Sequence, residues 1–435
     1  MAEKDTRRNV VLVTVDSLRA DHCGFMGYDD DTTPTLDAMA EDGVVFRNAV
    51  APGPSTSESM PAIFTGHYPF ERKGVSGAID ERIGRIKPHM DRHRTLAEQF
   101  SEHGYATAGF TPNPFTTRYF GFDSGFDYYE DFLDGSRGKF YEWLVEGRLS
   151  DSTVGMPARV LLNWLAKEEV FKRWEHFVDD VLEWVETAPE PYFLWVFLMD
   201  AHHPYLPPRS YRSKSTFQTL RANLELRRQN YEPPFSDPVA ETLVTAYDDS
   251  IRYVDAFLDR MRTELKGDPI LAITGDHGEA FGEHGTYEHH GGALGEHGSQ
   301  EYNSYLYEEN IHVPLVVANT DASGSVERPF SLRSLCDLFD VSETGLVVNP
   351  DATDQFVVSR TFDGDSIAVR GGRTKYIRDD DREAVYDLEA GESTPITDEQ
   401  LRRYMSELTD AKSCGLQEGQ HIVKACADVV SEQQL

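Results

Sequence analysis

Ile270-Leu-Ala-Ile-Thr-Gly-Asp276-His277-Gly278-Glu279 reads as a strand that ends on chemistry. An apolar run stops at Gly275, and an acid, an imidazole and a glycine follow at once. Ligands in open α/β sheets bind beyond the carboxyl ends of the strands, so this is where a buried strand would present metal-binding side chains. Val10-Val-Leu-Val-Thr-Val-Asp16-Ser17 repeats the design near the N-terminus. Two strand ends that each present a carboxylate, far apart in sequence, predict one divalent-metal site assembled by the fold. Asp16 and Asp276 would supply hard oxygens, His277 a ring nitrogen and Ser17 a hydroxyl. An all-oxygen set favours calcium or magnesium, and an imidazole shifts the preference toward manganese, iron or zinc. Taken singly, each of these residues is also a common cap or turn residue.

Outward from these two segments, strand-like runs alternate with helical patterns. Thr33–Asp42 reads as a helix with Thr33 as N-cap and Pro34 at its first position. Thr95–His103 is helical up to Gly104, and Tyr105–Phe110 is a strand closing on Thr-Pro-Asn-Pro. Phe171–Glu186 is an amphipathic helix, Tyr192–Met199 a buried strand and Glu241–Glu264 a long helix leading into the Ile270 strand. Such alternation predicts an α/β fold, with a large, mostly parallel mixed sheet between helices. Past residue 320 the texture changes. Ser366–Val369, Thr374–Ile377 and Ala384–Tyr386 read as short antiparallel strands, and Asp398–Leu408 as a terminal helix. The expected division is 1–320 for the catalytic domain and 321–435 for a C-terminal subdomain.

The 435 residues suffice to bury a large core. Asp and Glu total 75 against 42 Lys and Arg, a net charge of -33. So acidic a surface repels nucleic acid and anionic membranes, and neither is an expected partner. Acid-rich and lysine-poor surfaces stay hydrated in concentrated salt, where mutual repulsion is screened, so a high-salt cytoplasm is the expected setting. The four cysteines are scattered without a C-x-x-C pair, which signals neither a zinc knuckle nor a disulfide framework. No apolar segment precedes Asn9 and the longest apolar run, Tyr192 to Met199, is far too short to span a bilayer. The reading is a soluble, cytoplasmic protein.

Three further segments carry possible chemistry. Pro54-Ser55-Thr56-Ser57-Glu58-Ser59-Met60-Pro61 is a hydroxyl-rich loop followed by a helix expected from Pro61. A nucleophilic hydroxyl at a helix N-terminus would face a bound oxyanion, although serine-rich loops commonly just cap helices. Leu198-Met-Asp200-Ala-His202-His203-Pro204-Tyr205 ends a buried strand, and His202 could hold or protonate a substrate oxygen. His284, His289, His290 and His297 crowd the loop after Asp276-His277-Gly278, where one could act as a general acid. A polar lid is the rival reading of that loop.

Together the segments resemble the sulfatase family of the alkaline-phosphatase superfamily. The resemblance is carried in order by Val15-Asp16-Ser17-Leu-Arg19-Ala-Asp21-His22, Thr65-Gly66, Thr95-Leu-Ala-Glu, Gly104-Tyr-Ala-Thr-Ala-Gly109, Met199-Asp-Ala-His202-His-Pro-Tyr205, Tyr247-Asp248 with Tyr253-Val-Asp255, Asp276-His277-Gly278-Glu279 with Gly282-Glu-His-Gly285, and Leu306-Tyr-Glu with Val313-Pro314. It extends to Lys375-Tyr-Ile and Val385-Tyr-Asp-Leu, which are similar to the family's terminal sheet. It implies one divalent metal, calcium or magnesium, with manganese or zinc open because of His277. It implies Asp16, Asp276 and His277 as ligands, with Ser17 where many relatives carry a second aspartate. The nucleophile, nine residues before Thr65-Gly66, is then Thr56; His202 matches the histidine that contacts the ester oxygens, and His289 the residue that protonates the leaving group. Asn113, His284 and His290 are the expected substrate contacts.

Three departures from the family pattern shape the expected chemistry. Relatives that cleave sulfate esters carry a cysteine or serine at the position of Thr56, oxidised to an aldehyde; threonine cannot become that aldehyde. Met60 stands where an arginine is expected four residues later. A second Gly295-Glu-His-Gly298 lengthens the histidine-rich loop, so His289, His290 and His297 stay unranked. A threonine ester has no geminal hydroxyl to expel sulfate, so water must attack the central atom. That route is usual for phosphoryl groups and harder for sulfuryl groups. The expected function is metal-dependent cleavage of a sulfate or phosphate ester of a small molecule or glycan through a Thr56 intermediate. Phospho-group transfer, as in phosphoethanolamine transferases, and a non-catalytic anion- or glycan-binding relative are the alternatives.

Overall fold

The computed structural model describes residues 7–69, 79–132, 172–229, 231, 233–289, 306–342, 345–362, 364–379 and 382–412. Its centre is an eight-stranded sheet in the order Tyr128–Glu130, Ala106–Phe110, Tyr192–Leu198, Val10–Val15, Ile270–Gly275, Leu315–Ala318, Val44–Phe46 and Gly324–Val326. Leu315–Ala318 pairs antiparallel with both neighbours and every other pairing is parallel, so one strand alone opposes the rest. The mostly parallel mixed α/β sheet expected from the alternation is present.

The three central strands are buried along their whole length, as continuous apolar runs covered on both faces must be. Alternate residues serve opposite faces. Val11, Val13 and Val15 join Leu243, Tyr247, Val254 and Phe257 of the long Asp237–Glu264 helix in one apolar cluster. Val10 and Leu12 face the other way, into a cluster with Ile63 and Phe64 of the Thr56–Thr65 helix and Leu96 and Phe100 of the Leu96–Glu102 helix.

Several element ends differ from the sequence reading for identifiable reasons. The helix expected from Pro61 begins at Thr56 and holds Pro61 inside it. Proline there loses its N–H bond and crowds the carbonyl four residues back, a cost that burial of the helix in the core offsets. The long helix starts at Asp237, with a proline at its first turn, rather than at Glu241. The expected Phe171–Glu186 helix is a 3₁₀ turn at Trp174–His176 and then an α-helix at Val178–Thr187, with residue 171 outside the described set. Thr33 does precede the Pro34–Asp42 helix, but its side chain makes no capping bond. Asp255 reaches across from the long helix and accepts from the N–H groups of Thr35 (2.9 Å) and Leu36 (3.0 Å). A capping residue borrowed from another element leaves no local trace in the sequence.

The C-terminal sheet is antiparallel throughout, ordered Val357–Arg360, Ser366–Arg370, Thr374–Asp379 and Arg382–Asp387. Residues 399–412 are helical. This sheet is pinned to the segment around Thr56. The Arg360 N–H donates to the Pro52 carbonyl (2.9 Å), Ser359 Oγ to that of Ala51 (2.6 Å), and the Phe362 N–H to Glu58 Oε1 (2.8 Å). Ala62 and Tyr68 share an apolar cluster with Val358, Val369 and Tyr376. Among the described residues, no helix is long and apolar enough to cross a membrane.

Candidate metal centre and its surroundings

Strand register builds the site. Val15 lies opposite Leu198 on one side and Gly275 on the other, so three parallel strands end at one level. The backbone stays laced just beyond: the Asp16 N–H donates to the Leu198 carbonyl (2.9 Å) and the Asp276 N–H to that of Val15 (3.2 Å). Asp16, Asp276 and His277 consequently converge, each buried, with ligand atoms all within 4.8 Å of one another. Close approach depends on glycine at two points. A Cβ on Gly275 would lie 2.5 Å from the Leu18 carbonyl oxygen, and one on Gly278 would lie 2.0 Å from that of Glu309. Because the Gly278 neighbours are backbone atoms, Gly278→Ala is expected to destabilise the protein by roughly 1–3 kcal/mol, toward the upper end, in urea unfolding.

Ser17 turns through a left-handed conformation with φ of 59°. Its N–H donates to Asp276 Oδ1 (3.2 Å) and its hydroxyl to Asp16 Oδ1 (3.3 Å). Its carbonyl accepts from Tyr247 Oη (2.6 Å), which ties the turn to the long helix. Asn113, beyond the Ala106–Phe110 strand, donates from Nδ2 to Asp16 Oδ2 (3.0 Å). Ser59 Oγ donates to the Asp276 carbonyl (2.6 Å), anchoring the Thr56–Thr65 helix to the second strand end.

The donor set suits a divalent cation. His277 Nδ1–H donates to the Gly278 carbonyl (2.8 Å), which leaves Nε2 as the lone-pair atom of the neutral ring. Nε2 faces Asp16 Oδ1 at 3.3 Å and Asp276 Oδ2 at 3.6 Å. Asp276 Oδ2 is buried without a hydrogen-bond partner. Burial, with Asp16 close by, pushes the Asp276 carboxyl up to about 7 against the pull of His277. His277 itself is raised to about 9: burial opposes its charge, but the Asp276 and Asp16 carboxylates outweigh that. Two acids and one imidazole brought together in the interior make a donor set that a cation would suit.

Thr56 completes the group. It is the first residue of its helix, buried, and its Oγ1 lies 3.3 Å from His277 Nε2. The hydroxyl-rich loop is thereby brought onto the three candidate ligands. Met60, where an arginine was expected, is fully buried in the apolar core and contributes no charge.

The histidines divide. The His289 ring sits 4.2 Å from that of His277 and 5.1 Å from that of His202, so the three rings form one cluster. His202 Nδ1 donates to the His203 carbonyl (2.5 Å). His284 stands apart from this group. Its Nδ1 meets Glu309 Oε1 (2.6 Å), its Nε2 meets the Glu392 carbonyl (3.3 Å), and its ring stacks on Tyr307 with centroids 3.6 Å apart. His290, His297 and the second Gly-Glu-His-Gly lie outside the described residues. Two acids with no assigned role in the sequence reading also line the region. Glu279 Oε1 is 2.9 Å from His289 Nδ1, and Glu288 Oε1 is 3.5 Å from His203 Nδ1. Burial raises Glu279 to about 8 and lifts Glu288, beside Glu279, well above the usual carboxylate range. Glu279 stood in the quoted strand-end motif without a role of its own, and the only sequence signal of Glu288 was an acidic residue in a histidine-rich loop.

Known proteins similar to this chain fall in one family. The multifunctional alkaline phosphatase superfamily protein PehA of Trinickia caryophylli is 24% identical over 75% of this chain and 71% of its own length. Iduronate 2-sulfatase of Mus musculus is 23% identical over 64% of this chain, which spans only 56% of that relative. The crystal structure of the phosphonate monoester hydrolase of Agrobacterium radiobacter superposes with a TM-score of 0.59 at 18% identity, covering 95% of this chain and 96% of that one. A family model described as Sulfatase matches residues 8–339, a span that contains both strand-end carboxylates, Thr56 and all three clustered histidines. The chain is therefore a member of the sulfatase family, within the alkaline phosphatase superfamily.

Proposed function

We propose that this chain is a metal-dependent hydrolase that cleaves a sulfate or phosphate ester through a covalent intermediate on Thr56. The observation that carries the reading is the 3.3 Å approach of Thr56 Oγ1 to His277 Nε2, which sets a buried hydroxyl against the ligand group. Asp16, Asp276 and His277 would hold the metal, with Ser17 beside them and Asn113 orienting Asp16. When bound, the cation supplies positive charge to a non-bridging substrate oxygen and lowers the pKa of a nearby hydroxyl.

The residues then divide the work. The Thr56 hydroxyl gives up its proton to solvent, and its oxygen attacks sulfur or phosphorus in line as the bond to the leaving oxygen breaks. Its place in the first turn of a ten-residue helix favours the negative charge of the substrate anion. His202 bears on the equatorial oxygens, and His289 protonates the departing alcohol. Water resolves the Thr56 ester by a second displacement. Because threonine offers no geminal hydroxyl, phosphomonoester, phosphodiester or phosphonate ester substrates are favoured over sulfate esters within this reading. The names of the relatives span both, as iduronate 2-sulfatase and phosphonate monoester hydrolase.

A parallel screen of aryl sulfate, aryl phosphate, bis-aryl phosphate and aryl phosphonate with Ca²⁺, Mg²⁺, Mn²⁺ and Zn²⁺ tests the function. Turnover of a phosphorus ester above that of the sulfate is the expected result, and no turnover of any member with any metal overturns it. The net charge of -33 adds salt adaptation to the proposal, in a cytoplasmic setting. The thermal unfolding midpoint is expected to rise by several degrees from dilute buffer to multimolar KCl, as repulsion is screened. A flat or falling midpoint removes the salt-adaptation claim.

A further inference from the structure

His289 joins the cluster with one ring nitrogen already engaged. Glu279 Oε1 lies 2.9 Å from its Nδ1, and the two side chains are 0% and 3% exposed. The carboxyl is held from both sides of its own backbone. The Glu279 N–H donates to the Glu309 carbonyl (2.8 Å), and the Glu279 carbonyl accepts from Arg19 Nη1 (2.9 Å). Arg19 is in turn paired with Asp21 and Glu283, so its position is braced as well. The His289 ring stands against His277 and His202 in the same cluster.

An ammonium can present a proton in three directions and rotates freely. An imidazole has two nitrogens in fixed directions, so a histidine that must deliver a proton to one point needs its other nitrogen held. We propose that Glu279 is a positioning residue that fixes His289 through Nδ1, so that the proton is delivered to the leaving group from Nε2. This rests on the hydrolase reading above. As the bond between the central atom and the leaving oxygen breaks, its electron pair stays on that oxygen. The His289 Nε2–H bond breaks, its pair stays on nitrogen, and the proton becomes the O–H of the released alcohol. Glu279 forms no bond to substrate at any stage.

The test uses Glu279→Leu, Glu279→Gln and His289→Ala in the full chain loaded with Mn²⁺, on aryl esters whose leaving groups range from dinitrophenol to phenol. Glu279→Leu removes the acceptor without adding a buried polar group, while Glu279→Gln keeps a carbonyl that can accept from Nδ1–H. The expected loss for Glu279→Leu is about 10²-fold in kcat with phenol and little with dinitrophenol, which needs no proton. His289→Ala should show the same slope against leaving-group pKa, and the double variant should lose no more than the worse single one. Glu279→Gln should recover most of the phenol rate. In the same proteins loaded with diamagnetic Mg²⁺ in place of Mn²⁺, proton NMR should show a hydrogen-bonded Nδ1–H resonance that disappears in His289→Ala and shifts to an unbonded position in Glu279→Leu. Metal content should stay at the wild-type value in every variant. A loss independent of leaving group, an additive double variant or loss of Mn²⁺ would overturn the proposal while the hydrolase reading stands. A wild type that turns over none of these esters overturns both.

Discussion

Thr56→Ala should reduce turnover of any substrate found for this protein by roughly 10⁴–10⁶-fold, the range seen when a covalent nucleophile is removed and only binding and charge stabilisation remain. The expectation follows from position. Thr56 is 5% exposed, opens a helix and puts its hydroxyl 3.3 Å from a ring nitrogen of the ligand group. Alanine is a good helix former, so the fold and metal content should survive the change. Thr56→Ser keeps the hydroxyl and should retain a substantial fraction of activity. Rapid acid quench of the wild type followed by peptide mass spectrometry should find the phospho or sulfo group on Thr56. An alanine variant with wild-type turnover would mean that the nucleophile lies elsewhere.

Asp276→Asn carries the second large effect. Its Oδ2 is buried without a hydrogen-bond partner, and a neutral amide there would remove one of the two negative charges that would face the proposed cation. Metal affinity should fall by more than the roughly 10–100-fold that loss of an outer-shell partner costs, and activity with it. Asn113→Ala, which removes a hydrogen bond to Asp16 but no ligand, should stay within that smaller range. The same site predicts a pH dependence with a definite sign. A ligand must be deprotonated to bind, and Asp276 and His277 are raised to about 7 and about 9 in the metal-free protein. Metal uptake should release protons, and apparent affinity should climb as pH rises through that window. Isothermal titration calorimetry in buffers of different ionisation enthalpy measures both. Affinity that is flat or falling from pH 7 to 9 would contradict the ligand assignment.

Legibility in the sequence followed locality. Asp16 and Asp276 could be read because a buried parallel strand is a continuous apolar run, and its first polar residue marks the carboxyl end. The same logic singled out Asn113 beyond the Ala106–Phe110 strand and His202 beyond Tyr192–Leu198; Asn113, expected against the substrate, hydrogen-bonds Asp16. Features set by chain return were not legible. Glu279 reaches His289 only because the loop after Gly278 doubles back, and Ser59 reaches the Asp276 carbonyl only because its helix starts earlier than Pro61 suggested. His284 has the composition of a substrate contact, yet Glu309, Glu392 and Tyr307 occupy it, and two of those three lie in separate parts of the chain. Asp255 capping a helix that begins more than two hundred residues earlier is the same kind of event.

The antiparallel sheet at the C-terminal end grips the segment that carries Thr56 through Ser359, Arg360 and Phe362. That grip restricts how such a protein can diversify. A recombination that exchanged the last hundred-odd residues for those of a distant cousin would loosen the seat of Thr56 rather than graft a new specificity. The two stretches are therefore bound to be inherited together, and novelty has to arise in loops that leave both untouched.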